Sequence, residues 1–140
     1  MNSDNLRSVD LNRTGPTAYR ATNDRGGAVQ MGSGETTDFT PVELLLAAVA
    51  GCSAIDVDLL TNRLAEPTGF DLAAQGEKIR DEHGNRMASV RVEFTVRFPD
   101  GPEGDAARDR LPDAVAKSRD RLCTVSRTVA LPTPVRFDLA

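Results

Sequence analysis

From Val90 onward apolar side chains take every second position: Val90, Val92, Phe94, Val96 and Phe98, with Arg91, Glu93, Thr95 and Arg97 between them. A period of two predicts a strand with one covered face. It pairs with residues 70–80 across the turn at 81–86, where His83 and Gly84 sit, to make a β-hairpin. Three short extended pieces open the chain, at 6–11, 17–22 and 28–31. Thr14-Gly15-Pro16 and Asn23-Asp24-Arg25-Gly26-Gly27 separate them, so the expectation is a small antiparallel meander. A Gly/Ser/Thr-rich link at 32–38 then gives way to a different pattern. Thr40-Pro41-Val42-Glu43 combines an N-cap residue, a proline at the first helical position and a glutamate three places after the cap. The helix it opens has no polar side over residues 44–50, and a helix apolar all round must be surrounded by protein. Asp56, Asp58, Asn62 and Arg63 give it a wet side later, and Glu66-Pro67-Thr68-Gly69 ends it. After the break at Pro99-Asp100-Gly101-Pro102, a second helical region runs over about 105–129, with Pro112 marking a kink or a fresh start. Alternation at Val135, Phe137 and Leu139 predicts a closing strand. The order βββ-α-ββ-α-β is that of an α+β fold, expected as a single domain over residues 1–140.

Composition narrows the function more than the fold. The chain is 39% apolar with 11 glycines, which excludes disorder, collagen and a disulfide-dense scaffold. A formal charge of −4, no Trp and a single Tyr, Tyr19, provide neither a field for polyanions nor a base-stacking platform, so no nucleic-acid partner is expected. The first ten residues have no basic or apolar region of a secretory signal. The longest apolar stretch, residues 44–55, falls short of the ~20 positions a bilayer needs, so a soluble cytoplasmic protein without a membrane partner is expected.

Cys52 and Cys123 lie 71 positions apart. In a reducing compartment a structural disulfide is disfavoured, which leaves inert buried thiols or redox chemistry. One histidine and two distant cysteines do not make a zinc site of the CxxC kind, so neither metal nor cofactor is expected. Cys52 follows Gly51, whose missing side chain allows close approach, and its helical neighbours are Ala48, Val49, Ile55 and Asp56. An apolar wall raises a thiol's pKa, so a reactive Cys52 needs a cation from elsewhere in the fold. Cys123, on a continuous helix, has Arg119 and Arg127 four places before and after it, with Asp120 partly opposing them. Glu43 is explained by its capping box, and nine positions of helix carry it about 13 Å along the axis and to the opposite face from Cys52. A carboxylate serving Cys52 therefore has to come from another element or another subunit. His83 reads as an exposed turn residue.

The run from Thr40 to Val57, with Gly51-Cys52-Ser53-Ala54-Ile55-Asp56 at its centre, resembles the central helix of the OsmC/Ohr family. Leu122-Cys123-Thr124-Val125-Ser126 resembles that family's second-cysteine segment. The resemblance covers nearly the whole chain and lies closer to the OsmC-like branch than to the well-studied peroxidases. It implies an intertwined α+β homodimer whose long central helices are buried by sheets from both chains. For activity it implies a thiol-dependent peroxidase of organic hydroperoxides, with Cys52 as the peroxidatic residue, Cys123 as the resolving one and a dithiol as reductant. It also implies an arginine from the meander, Arg25 or else Arg20, and a glutamate at the start of the central helix, for which Glu43 is the candidate. In the family's peroxidases that glutamate directly follows the proline, whereas here Val42 stands in its place and Glu43 comes one position later. The alternative is a non-catalytic dimer that binds a small apolar molecule and keeps both cysteines for packing.

Overall fold

The computed structural model describes residues 3–140, and the fold is α+β. Chain contacts divide it into two compact units that meet in sequence after Leu45. The N-terminal unit holds the meander: β1 (Asp10–Gly15), β2 (Ala18–Thr22) and β3 (Ala28–Met31), in antiparallel order β1-β2-β3. The first strand starts later than the 6–11 segment expected, because pairing of Asp10 with Thr22 sets the register that β2 can complete. The β2–β3 turn closes on an Asn side chain, Asn23 Oδ1 accepting from the N–H groups of Arg25 and Gly27 at 3.1 and 2.8 Å.

Helix α1 (Pro41–Thr61) begins in this unit and continues into the next. Its N-terminus is the expected capping box. Thr40 Oγ1 accepts from the Glu43 N–H at 3.2 Å, and Glu43 Oε1 accepts from the Thr40 N–H at 2.8 Å. By length and composition alone α1 would suffice to cross a bilayer, with a mean hydropathy of 1.8 over its most apolar window, further than the apolar run at 44–55 implied. Only one stripe of it is buried, Val49, Ser53, Val57 and Thr61 at every fourth position. The other side stays open: Ala48 and Gly51 are exposed, and Ile55 and Leu59 are 63% and 61% accessible. The expectation that protein surrounds the helix is thus not met by the single chain. Among the described residues, nothing beyond the adjoining helix backbone comes within 4 Å of where a Gly51 side chain would begin.

In the C-terminal unit α1 is followed by a long hairpin, β4 (Gly69–Asp81) and β5 (Gly84–Arg97). Its register puts Phe70 opposite Val96, Leu72 opposite Phe94 and Ala74 opposite Val92, which joins the period-two pattern into one apolar face. A bulge between Glu77 and Lys78 re-aims the distal half, and the turn is held by Asp81, which accepts from the His83 N–H and from Arg86 Nε. His83 is exposed there, as expected.

Helix α2 (Pro102–Lys117) continues past Pro112, so that proline neither ends nor restarts it. Its buried residues, Gly104, Ala107 and Ala114, are all small. The expected continuous helix to 129 does not form. The backbone widens into a π turn at Ser118–Leu122, Cys123 is extended with φ −74° and ψ 99°, and α3 (Thr124–Ala130) starts afresh. The closing strand is absent as well. Residues 132–140 pair with no strand among the described residues, and Val135, Phe137 and Leu139 are 76%, 92% and 103% accessible. Alternation needs a sheet edge to dock on, and Pro132 and Pro134 remove two of the donors that would hold it there.

Candidate functional site

The residues that come together lie at the middle of α1 and at the break between α2 and α3. Cys52 and Asp56 are four apart on α1, hence on one face, and Cys123 reaches them from the break. The two sulfurs and a carboxylate oxygen of Asp56 all lie within 4.8 Å of one another. The fold therefore does unite the cysteines that sequence distance kept apart. A carboxylate, Asp56, stands beside Cys52 from its own helix. The signal was an acid one turn after the cysteine, at the end of a largely apolar run.

Two serines hold the carboxylate. Ser118 Oγ donates to Asp56 Oδ2 at 2.9 Å and stands 2.8 Å from Ser53 Oγ. Ser118 has one hydroxyl proton and spends it on Asp56, so Ser53 is the donor of the second bond. Ser118 is fully buried and Ser53 nearly so, and in such surroundings an unmade hydrogen bond is expensive. Neither serine was singled out in the sequence, since only the packing of α1 on the end of α2 makes them neighbours.

The π turn positions Cys123. Its N–H donates to the Ser118 carbonyl at 2.8 Å, five residues back, which swings the side chain inward and leaves it fully buried. The extended backbone makes Cys123 the cap of α3, with its Sγ accepting from the Ser126 N–H at 3.4 Å. Arg119 and Arg127 do not flank the thiol in the way a continuous helix requires. Arg119 forms a two-pronged pair with Asp120, at 2.8 and 3.0 Å, and both arginines line a shallow groove of about 330 Å³ with Ser126, Ala130 and Leu131.

Burial pushes the Cys52 thiol above the ordinary thiol range, and the hydrogen bond to Cys123 and the Asp56 charge add to the rise. The Val125 N–H, aimed at the sulfur, pulls the other way. Thiolate formation at Cys52 therefore needs a cation beyond these groups. Of the other expected site residues, Arg25 lies in the β2–β3 turn and Glu43 in the first turn of α1, both in the N-terminal unit.

The Glu43 carboxyl lies below the usual range, held down first by the Thr40 N–H and then by the Thr40 side chain. A lowered folded-state value means the cap stabilises fully above the ordinary carboxylate range, and that this share is lost as pH falls through the lowered value. Glu43→Gln keeps an acceptor for the Thr40 N–H, so it is expected to leave the melting temperature near that of the parent at neutral pH and to flatten its acid limb. Thiol oxidation is expected to keep its rate. A rate at least about tenfold lower, with melting unchanged, would make Glu43 a catalytic carboxylate as well as a cap.

Residues 32–138 match the sequence profile of a family described as OsmC-like protein. An uncharacterised protein of Mycobacterium tuberculosis is 28% identical over 131 residues, which span 92% of this chain and 93% of that one. Among solved structures, a hypothetical protein from Aquifex aeolicus superimposes with a TM-score of 0.72 at 20% identity, covering 91% of this chain and 89% of its own. An organic hydroperoxide resistance protein OsmC from Legionella pneumophila does so with a TM-score of 0.62 at 14% identity, covering 89% and 90%. At such identities the two superpositions speak for the fold.

Proposed function

The chain belongs to the OsmC-like protein family, and from that premise we propose that it is a cytoplasmic thiol-dependent peroxidase of organic hydroperoxides. The observation that carries this reading is the pair of cysteines, 71 positions apart in sequence and within 4.8 Å at their sulfurs. The Cys52 thiolate attacks the distal oxygen of ROOH, the O–O bond breaks, and Cys52 becomes a sulfenic acid while the alkoxide takes a proton and leaves as ROH. The Cys123 thiol then displaces water from the sulfenic acid, which forms a disulfide, and a dithiol reductant returns both cysteines to thiols while itself becoming a disulfide. The Val125 N–H favours the thiolate. In this reading an arginine of the meander, Arg25 or Arg20, supplies the cation that favours the Cys52 thiolate. The Legionella protein's description as a hydroperoxide resistance protein agrees with this chemistry. The test is peroxide consumption by the reduced chain with a dithiol reductant. No consumption of any organic hydroperoxide would discard the reading. The raised thiol favours a second possibility, a non-catalytic member whose cleft binds a small apolar molecule, and that member consumes no peroxide.

The working form in this proposal is a homodimer. The open side of α1, with Ile55 and Leu59 exposed, and the exposed Val135, Phe137 and Leu139 offer apolar surface of the kind that obligate dimers bury. Sedimentation at micromolar concentration is expected to show one species of about 30 kDa, twice the 15.0 kDa chain. A single species at 15.0 kDa would refute the dimer.

A further inference from the structure

We propose that Cys52, Asp56 and Cys123 bind one soft divalent cation of the zinc class in the reduced protein and release it when a two-electron oxidant (a hydroperoxide, itself reduced to an alcohol and water) joins the cysteines in a disulfide. This goes beyond the peroxidase reading, because the site exists whatever the oxidant is. Three donors of the right kind already converge within 4.8 Å. Two sulfurs on a tetrahedral zinc ion lie about 3.8 Å apart, since each Zn–S bond is ~2.3 Å, so closing the site requires at most about 1 Å of movement. The helical spacing of Cys52 and Asp56 points two donors to one place, and Cys123 supplies the third from a separate element.

The surroundings are those of a built site. Ser118 holds Asp56 Oδ2 and is itself held by Ser53, which orients the carboxylate and leaves its other oxygen for a cation. The Ser126 N–H already donates to Cys123 Sγ, and the Val125 N–H is aimed at Cys52. Cys123 is fully buried and Cys52 half-buried, and three protein donors would leave a fourth position for water. Thiolates exclude magnesium and calcium, which prefer oxygen, and select zinc or cadmium. Without a cation, two thiolates and a carboxylate would repel one another across this short distance. A disulfide removes both sulfur charges, so metal and disulfide are alternative states of one site. Sequence distance argued against a metal, and the fold brings the three donors within reach of one ion.

The test titrates the dialysed, reduced wild-type chain with Zn²⁺ alone, by calorimetry and by competition with a chromophoric chelator. One ion per chain is expected, together with protection of Cys52 from alkylation. Co²⁺ in place of Zn²⁺ should give thiolate charge-transfer absorption and the visible bands of a tetrahedral site. Oxidising the pair with diamide should weaken binding by about 100-fold or more, a comparison that needs no variant. Cys123→Ser should do the same, and Asp56→Asn should weaken it about 10- to 100-fold with an unchanged melting temperature. No stoichiometric binding by the reduced chain would overturn the proposal, as would binding that survives both oxidation and Cys123→Ser. Zinc binding by a chain that ignores hydroperoxides supports the site and counts only against the peroxidase reading. Rapid hydroperoxide oxidation by a chain that binds no zinc overturns the site and leaves that reading intact.

Discussion

One equivalent of an organic hydroperoxide is expected to convert the reduced chain to a Cys52–Cys123 disulfide, and Cys52→Ser to abolish turnover. The sulfurs start within 4.8 Å and have to close to about 2.05 Å. Cys123 sits where the helix is already broken, so the approach asks for motion of the short α3 segment rather than of α1. Cys52→Ser is close to isosteric, and a partly buried hydroxyl costs about 1–2 kcal/mol, too little to unfold the protein. Lost activity in a folded Cys52→Ser chain would thus report chemistry. Cys123→Ser should still consume its first equivalent and then stop, with a sulfenic acid on Cys52 that a dimedone probe traps and mass spectrometry counts. The pH dependence has a definite sign. Because burial raises the Cys52 value, its alkylation in a Cys123→Ser background should gain speed with pH over a higher range when the meander arginine is removed than when it is in place. A nearby arginine contributed by the dimer would move that range down, so the same titration in Arg25→Ala and Arg20→Ala identifies the cation. Thiols that stay free after hydroperoxide treatment would retire the peroxidase and leave only the fold.

The parts of this protein that were legible in its sequence are those governed by neighbours along the chain. Alternation from Val90 to Phe98 and the reciprocal bonds of Thr40 and Glu43 are local, and each appears in the structure where expected. Both cysteines were legible as a pair, from the resemblance of two separate segments. Asp56 was visible as a helical neighbour of Cys52 but not as a member of the site, because its role depends on Ser118 holding it from another element. The break at Cys123 was hidden for a related reason. Residues 118–130 are compatible with a plain helix, and the π turn exists because it buries the thiol and lets it cap α3. With that break the two arginines lost the flanking positions a helix would have given them. Alternation at Val135, Phe137 and Leu139 is a period-two pattern that meets no partner strand among the described residues.

Gly104→Ala is expected to destabilise the protein by about 2 kcal/mol, against the sign that helix propensity assigns to it. In an open helix glycine is worse than alanine by roughly 0.5–1 kcal/mol, so the substitution would ordinarily be a gain. Gly104, however, is buried in the first turn of α2, where the chain turns back through Pro99, Asp100 and Gly101, and a methyl group there would fall inside the Pro99 carbonyl. The obstacle is backbone, which cannot rotate away as a side chain can. Overpacking of a tight site costs ~1–3 kcal/mol, and the turn has little slack, with Gly101 at φ 112° and Arg108 Nη2 donating to the Phe98 carbonyl at 3.1 Å. Relief would have to come from moving the start of α2, and a rigid helix carries that shift to Ser118 at its far end. The substitution should therefore register twice. Urea unfolding should show a lower midpoint with an unchanged slope, and the rate of Cys52–Cys123 disulfide formation should fall although neither cysteine is near the mutation. An alanine variant as stable as the parent would show that the close approach of Gly104 to Pro99 does not set the position of α2. A destabilised variant whose disulfide still forms at the parent rate would show that the site is fixed by α1 and the π turn alone.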